Sequence, residues 1–219
     1  MLTSAKSGLR MQPCLSVLHV CFETMYYGEK VRLRAIEMSD LDEIMKHWNT
    51  YETRRFLYSA IPHSEEHERK WLEEATTSRP WNSGSMVLAI EDKKSGQFLG
   101  TVGLDSISTQ HGRAEFGIAI HNPENHGKGY GTDATKVMLW VGFHVLGLNS
   151  IFLNTLVSNA RAIRCYEKAG FRRAGIFRRA LFTQGQFQDL LIMDVIADEF
   201  AKQHPGSTQI GSPNEKRQQ

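Results

Sequence analysis

Seven consecutive residues, His126-Gly127-Lys128-Gly129-Tyr130-Gly131-Thr132, combine the properties that an anion-binding turn requires. Glycines admit positive φ and close backbone approach, and a helix N-terminus presents unpaired N–H groups and the positive end of its dipole. The alternating run Ala114 to Ile120 precedes the loop, and helical apolar spacing follows it. The stretch is therefore either a phosphate pocket or a plain strand-to-helix connection. Two nucleotide motifs are excluded. A P-loop needs Gly-Lys-Ser/Thr, and Gly129 follows Lys128; a dinucleotide fingerprint needs Gly where Thr132 stands. Upstream, Glu115 shares a strand face with the small residues Gly117 and Ala119, which leaves room for a substrate. It is a general base or a surface carboxylate in an ion pair. Downstream, Asn159 and Tyr166 are seven residues apart, close to two helical turns, and so share one helix face. Asn159 is also a good N-cap. By the same wheel Arg161, Arg164 and Lys168 fall on roughly the opposite, solvated side.

Together, the loop and the segment Asn159-Ala160-Arg161-Ala162-Ile163-Arg164-Cys165-Tyr166-Glu167-Lys168-Ala169-Gly170-Phe171 resemble the GCN5-related N-acetyltransferases (GNAT). The likeness covers about residues 29 to 198 and is nearest the ribosomal-protein and spermidine-type branch, on lines such as Val31-Arg32-Leu33-Arg34-Ala35 and Gly185-Gln186-Phe187-Gln188-Asp189. The resemblance implies that acetyl-CoA is the acetyl-donor cosubstrate. It implies that loop residues His126, Gly127, Lys128, Gly129, Tyr130, Gly131 and Thr132 hold the pyrophosphate. The backbone of Ile118, Ala119 and Ile120 pairs with the pantetheine where the fourth and fifth strands splay apart, and Asn159 bonds cofactor amides. Tyr166 protonates the departing thiolate, and Glu115 deprotonates the amine through ordered water, with His111 and His121 as second choices for that role. His126 replaces the usual Arg or Gln of the loop, so any charge it brings depends on pH. Lys128 either adds a charge-assisted contact or is solvated.

The implied activity is transfer of an acetyl group to a primary amine by direct attack in a ternary complex. The alternative is a non-catalytic acyl-CoA-binding or interaction module on the same fold. Residues expected to contact the acceptor are Tyr51, Arg54, Arg55, Phe56, Tyr58, Phe182 and Gln186. They favour a protein N-terminal α-amine or a small-molecule amine over spermidine, because only Glu65-Glu66 and Glu73-Glu74 offer carboxylate pairs and those read as helix surface.

The elements that must position these groups follow from periodicity. At 219 residues with 41% hydrophobic content, the chain is sized for one domain with a proper core. A net charge of +2 from interleaved acids and bases gives no nucleic-acid surface. The three cysteines, without Cys-x-x-Cys spacing, point to a reducing, cytoplasmic setting, and Cys165 reads as a packing residue. The nine histidines are dispersed, so no metal is expected. Nor is a membrane partner; a homo-oligomer is compatible with the sequence. Residues 1–28 form an N-terminal extension, read as a presequence, a mis-assigned start or a structural segment. Residues 29–198 form the acetyltransferase domain, and 199–219 a polar tail expected to be disordered. Strands are expected at Val31–Ala35, Met86–Ile90, Phe98–Leu104, Ala114–Ile120 and Ser150–Val157, with a terminal hairpin over 172–196. Helices are expected after Ser39, after Ser64, after the glycine loop and after Asn159. The fold class is α/β: a single mixed, mostly antiparallel twisted sheet of about seven strands flanked by about four helices.

Overall fold

The computed structural model describes residues 26–57 and 59–204. Its strands are β1 (Tyr26–Tyr27), β2 (Val31–Ala35), β3 (Met86–Asp92), β4 (Phe98–Ser108), β5 (Arg113–Ile120), β6 (Ser150–Leu156), β7 (Arg172–Thr183) and β8 (Gln186–Ile196). They form one sheet in the order β1-β2-β3-β4-β5-β6-β8-β7, antiparallel throughout except for the parallel β5–β6 pair. The helices are α1 (Leu41–Trp48), α2 (Tyr51–Arg54), α3 (Glu65–Thr77), α4 (Tyr130–Trp140), α5 (Ala160–Ala169) and α6 (Ala197–Gln203).

Strand alternation sends neighbouring side chains into two separate cores. Ile90 joins Leu104, Phe116, Met138, Ile151 and Phe200 in the larger one, packed against α4, α5 and α6. Ala89, one residue away, joins Ile36, Ile44 and Leu72 in the smaller one under α1 and α3. Eight strands and six helices exceed the expected seven and four because β1 has two residues and α2 has four, too short for any period to register, and because α6 lies mostly in the segment read as a polar tail. β1 falls within the segment assigned to the extension, yet Tyr26 pairs with Leu33. At the other end α6 runs past residue 198 and buries Phe200 completely. Cys14 and Cys21, with the polar tail beyond residue 204, lie outside the described residues. Among the described residues, no helix is long and apolar enough to cross a membrane.

Two helix starts contrast. Ser64 caps α3 as expected, accepting the His67 N–H at 3.2 Å. Ser39 does not cap α1. It lies in a 3-10 turn, Met38–Asp40, where Asp40 accepts the Glu37 N–H at 2.9 Å and two Arg34 N–H groups at 2.7 and 2.8 Å. The bidentate Arg34–Asp40 pair is the stronger interaction and decides the geometry.

The feature that builds the site is a parting of strands. β5 pairs with β6 only at Arg113–Ser150, Ala114–Ile151 and Glu115–Phe152. Beyond that, β6 stays with β8 as far as Leu156–Leu190, while β5 stays with β4 as far as Ile120–Gly100. The main-chain groups of residues 116–120 that face β6 are left without a ladder.

Candidate active site

A cleft of about 800 Å³ opens where β5 and β6 part. Residues 115–120 of β5 line one wall and Asn154–Leu156 of β6 the other; the glycine loop and α5 close one end. Gly127 and Gly129 have φ of 74° and 89°, the left-handed region, and Gly129 is the N-cap of α4. A Cβ built on Gly127 would meet nothing within 4 Å, so the backbone there borders open space. The first-turn N–H groups of Tyr130, Gly131 and Thr132 have no intrahelical acceptor, as at any helix start. The arrangement suits a diphosphate.

The loop is anchored from outside the cleft. Lys30 Nζ donates to Lys128 O at 2.7 Å, and the Asp133 carboxylate in the first turn of α4 accepts the backbone N–H groups of residues 29, 30 and 31. The Tyr130 hydroxyl donates to Asp92 Oδ2 at 2.7 Å. The Ser95 N–H and then the Tyr130 hydroxyl hold the Asp92 carboxyl at about 2. The same bond to Asp92 raises the Tyr130 phenol above its ordinary value.

Of the residues expected to hold the donor, all but one line the cleft. The exception is Lys128, whose Nζ donates to Asn125 Oδ1 at 3.3 Å and which is absent from the lining. Asn159 is buried and caps α5, accepting the Ala162 N–H at 3.2 Å. Tyr166 is 9% exposed, its ring set edge-on to Phe116 and Phe171 at 6.1 and 5.9 Å. Cys165 also faces the cleft. Burial pushes its thiol up, and the Thr132 hydroxyl donates to Sγ at 3.4 Å, so it is a neutral packing group.

Three expectations need correction. Arg161, Arg164 and Lys168 are exposed, as expected, but they line the cleft and do not face away from it. His121 is no base: it is buried, absent from the lining, and burial drives its imidazole down to about 4. Exposed His111 does not line the cleft either. For the acceptor end, Arg54 and Phe56 line the cleft, whereas Tyr51, Arg55, Phe182 and Gln186 do not. Tyr58 lies outside the described residues.

Glu115 projects into the cleft, and its Oε1 accepts from Asn154 Nδ2 at 3.1 Å. Directly opposite it on β4 is Asp105, which also lines the cleft and accepts from Ser85 Oγ at 2.6 Å. The sequence reading missed Asp105. Alternation from buried Leu104 puts it off the core, but only the β4–β5 register puts it beside Glu115. Like charges directly opposite on a sheet repel, so this pair favours a cation between its members.

Among the described residues one group of three metal-binding side chains does assemble, His63, His67 and Glu68, with donor atoms within 4.8 Å of one another. Glu68 is already bonded to Trp48 Nε1 and His63 Nδ1, and Arg54 Nη2 lies 3.0 Å from His63 Nε2. A guanidinium at that distance opposes a metal cation.

The family model described as an acetyltransferase (GNAT) domain matches residues 30–172. The chain belongs to the GNAT acetyltransferases. It is 29% identical over 173 residues to spermidine N(1)-acetyltransferase of Vibrio cholerae, covering 79% of this chain and 96% of that protein. It is 36% identical over 115 residues to the Escherichia coli K12 protein of the same name, covering 52% of this chain and 61% of that one. Among solved structures it resembles the Vibrio cholerae spermidine N-acetyltransferase in complex with CoA and spermine. There the TM-score is 0.70 at 27% identity, covering 78% of this chain and 98% of that one. This GNAT chain is thus an N-acetyltransferase using acetyl-CoA as donor, and the non-catalytic alternative is set aside.

Proposed function

We propose that this acetyltransferase moves the acetyl group of acetyl-CoA to a primary amine of a small, multiply charged amine, by direct attack in a ternary complex. The observation that carries the acceptor reading is the Asp105–Glu115 pair, two carboxylates opposite each other in the cleft where β5 and β6 part. One carboxylate suits the reacting amine and the second suits a further ammonium on the same molecule. Glu52 adds a third acid to the lining. This reverses the sequence-based ranking, which rested on Glu65-Glu66 and Glu73-Glu74. Those are exposed on α3, where Glu65 and Glu66 pair with Arg69 and Lys70 one turn on. The two spermidine-acetylating relatives support the same class of acceptor.

In the reaction, the amine nitrogen bonds to the thioester carbon and the C–S bond breaks. Glu115, held by Asn154, takes the proton the amine gives up, directly or through water. Tyr166 gives its hydroxyl proton to the sulfur. Main-chain groups left open along β5, together with Asn159, hold the donor's amides like an added strand, and the loop amides hold its other end.

An acceptor panel tests this. With acetyl-CoA as donor, spermidine should be acetylated with higher kcat/KM than a monoamine or a peptide N-terminus. Asp105→Asn should lower kcat/KM for spermidine about tenfold, the loss of one charge-assisted contact, while leaving the monoamine unaffected. Glu115→Gln should abolish the acid limb of the pH–rate profile, and an unchanged limb would place the base elsewhere. A panel in which peptides outperform spermidine would move the acceptor to a protein α-amine, which carries one charge and does not use the second carboxylate.

Donor binding is checked separately by thermal shift. A ligand that binds only the folded state at a hundredfold excess over Kd stabilises it by about 2.7 kcal/mol, which raises Tm by several degrees. Acetyl-CoA should produce that shift, and ATP and NAD should not.

A further inference from the structure

His126 opens the glycine loop, and its two nitrogens are both engaged. Nε2 lies 2.9 Å from Ile120 O, and a carbonyl only accepts, so Nε2 carries the hydrogen. Nδ1 of the neutral ring is then a bare acceptor, and it receives Arg161 Nη1–H at 2.7 Å. The two contacts agree on one tautomer and one charge state. The imidazole is neutral, and its work is to aim a guanidinium from α5 along the start of the glycine loop.

That guanidinium has no carboxylate partner among the described residues, although Arg32, Arg34, Arg69, Arg172 and Arg173 all have one. Arg55 carries none either, and it stands close enough to Arg161 that their charges repel. Arg164 and Lys168, equally unpaired, line the same cleft. Cations that repel one another and form no ion pair mark the place of a polyanion. The loop amides of the α4 N-terminus converge on that place.

We propose that Arg161, positioned by His126, binds the diphosphate of the donor. The cation comes from α5 instead of the loop, and it works only while His126 is neutral. The inference rests on acetyl-CoA being the donor. Protonating Nδ1 would turn an acceptor into a donor and face two cations across 2.7 Å. The charges around His126 leave little to offset that. Arg161 and, behind it, Arg55 are positive, and so is Lys128 on the loop. The Cys165 thiol is held neutral by burial, and Glu124, two residues away, forms no ion pair with the ring. Burial first, and then Arg161, push the imidazole below its ordinary value, against the opposing effect of the Ile120 carbonyl. Binding is therefore at full strength at neutral pH and above, and is lost on acidification below the usual histidine range.

The test is calorimetric binding of CoA and of dephospho-CoA, which lacks only the 3′-phosphate, to the full chain between pH 5.5 and 8. At pH 7.5, Arg161→Gln should weaken both ligands by the same factor, about ten- to a hundredfold, as for a lost charge-assisted contact to phosphate. The wild type should lose affinity towards pH 5.5. His126→Gln offers an N–H to Ile120 O and an oxygen to Arg161, so it should keep affinity within about threefold at pH 7.5 and lose the acid dependence. A purely structural role for His126 would not move that pH profile. Wild-type affinity for Arg161→Gln overturns the assignment. Weakening for CoA but not dephospho-CoA overturns it too, by moving Arg161 to the 3′-phosphate. Tighter wild-type binding at acid pH would make His126 itself the cation. A wild type that binds neither ligand at pH 7.5 removes the donor reading, whereas the preceding outcomes leave that reading standing.

Discussion

Tyr166→Phe is expected to lower turnover by about ten- to a thousandfold, with acetyl-CoA affinity within about twofold of wild type. The packing makes this a clean experiment. Phe116 and Phe171 hold the ring edge-on, and Tyr166 is 9% exposed, so a phenyl group fills the same volume with the same neighbours. The loss isolates the hydroxyl. An alkyl thiolate is a poor leaving group at neutral pH, and an acid aimed at sulfur removes its charge as the C–S bond breaks. The defect should therefore shrink for acetyl donors whose thiols are more acidic, because those leave without help. Free-thiol release with CoA and with an acidic thiol ester measures both effects. Unchanged turnover with CoA would remove Tyr166 from the chemistry. A defect of the same size for every donor would reassign it to positioning.

What was legible in the sequence was local. The glycine loop, the Asn159 cap and the two-turn spacing to Tyr166 each depend on residues within one or two elements, where helical period and turn chemistry fix the geometry. Register between strands is not local. Asp105 and Glu115 become partners only through the β4–β5 pairing, and neither residue's own surroundings in the chain announce the other. The wheel put Arg161 on the exposed side, where it is, but missed its reach into the cleft for another reason. A helical wheel treats side chains as points, while an arginine in the first turn is long enough to reach round the helix end to His126. The acid that fastens the loop to the rest of the fold was equally out of reach. Asp133 directly follows the motif, and its partners lie about a hundred positions away.

Asp133→Ala is expected to cost substantial stability. The carboxylate's Oδ1 accepts the Glu29 N–H at 3.1 Å, and its Oδ2 accepts those of Lys30 and Val31 at 2.7 and 2.9 Å. One carboxylate thus ties the β1–β2 turn to the first turn of α4, the helix whose N-terminus forms the anion pocket. Asp133→Ala leaves three backbone donors without their acceptor, one of them on Val31, whose side chain is fully buried in the main core. Hydrogen bonds to a charged group are worth more than neutral ones, but two of these three lie near solvent and recover water. The net cost should be about 3 kcal/mol, or roughly 6–12 °C in Tm for a domain of this size. Acetyl-CoA affinity should fall with it, because Lys30, which holds Lys128 O, loses the anchor of its own backbone. Asp133→Asn keeps one acceptor oxygen but turns an N–H towards the remaining donors, so it should recover only part of the loss. Urea unfolding of both variants, with acetyl-CoA binding measured alongside, separates the two effects. If Asp133→Ala melts within about 2 °C of wild type, the turn is held by the strand pairing alone and the carboxylate is a surface ornament. If stability falls while affinity is retained, the loop keeps its shape without that tie, and the Tyr130–Asp92 bond is the anchor that matters.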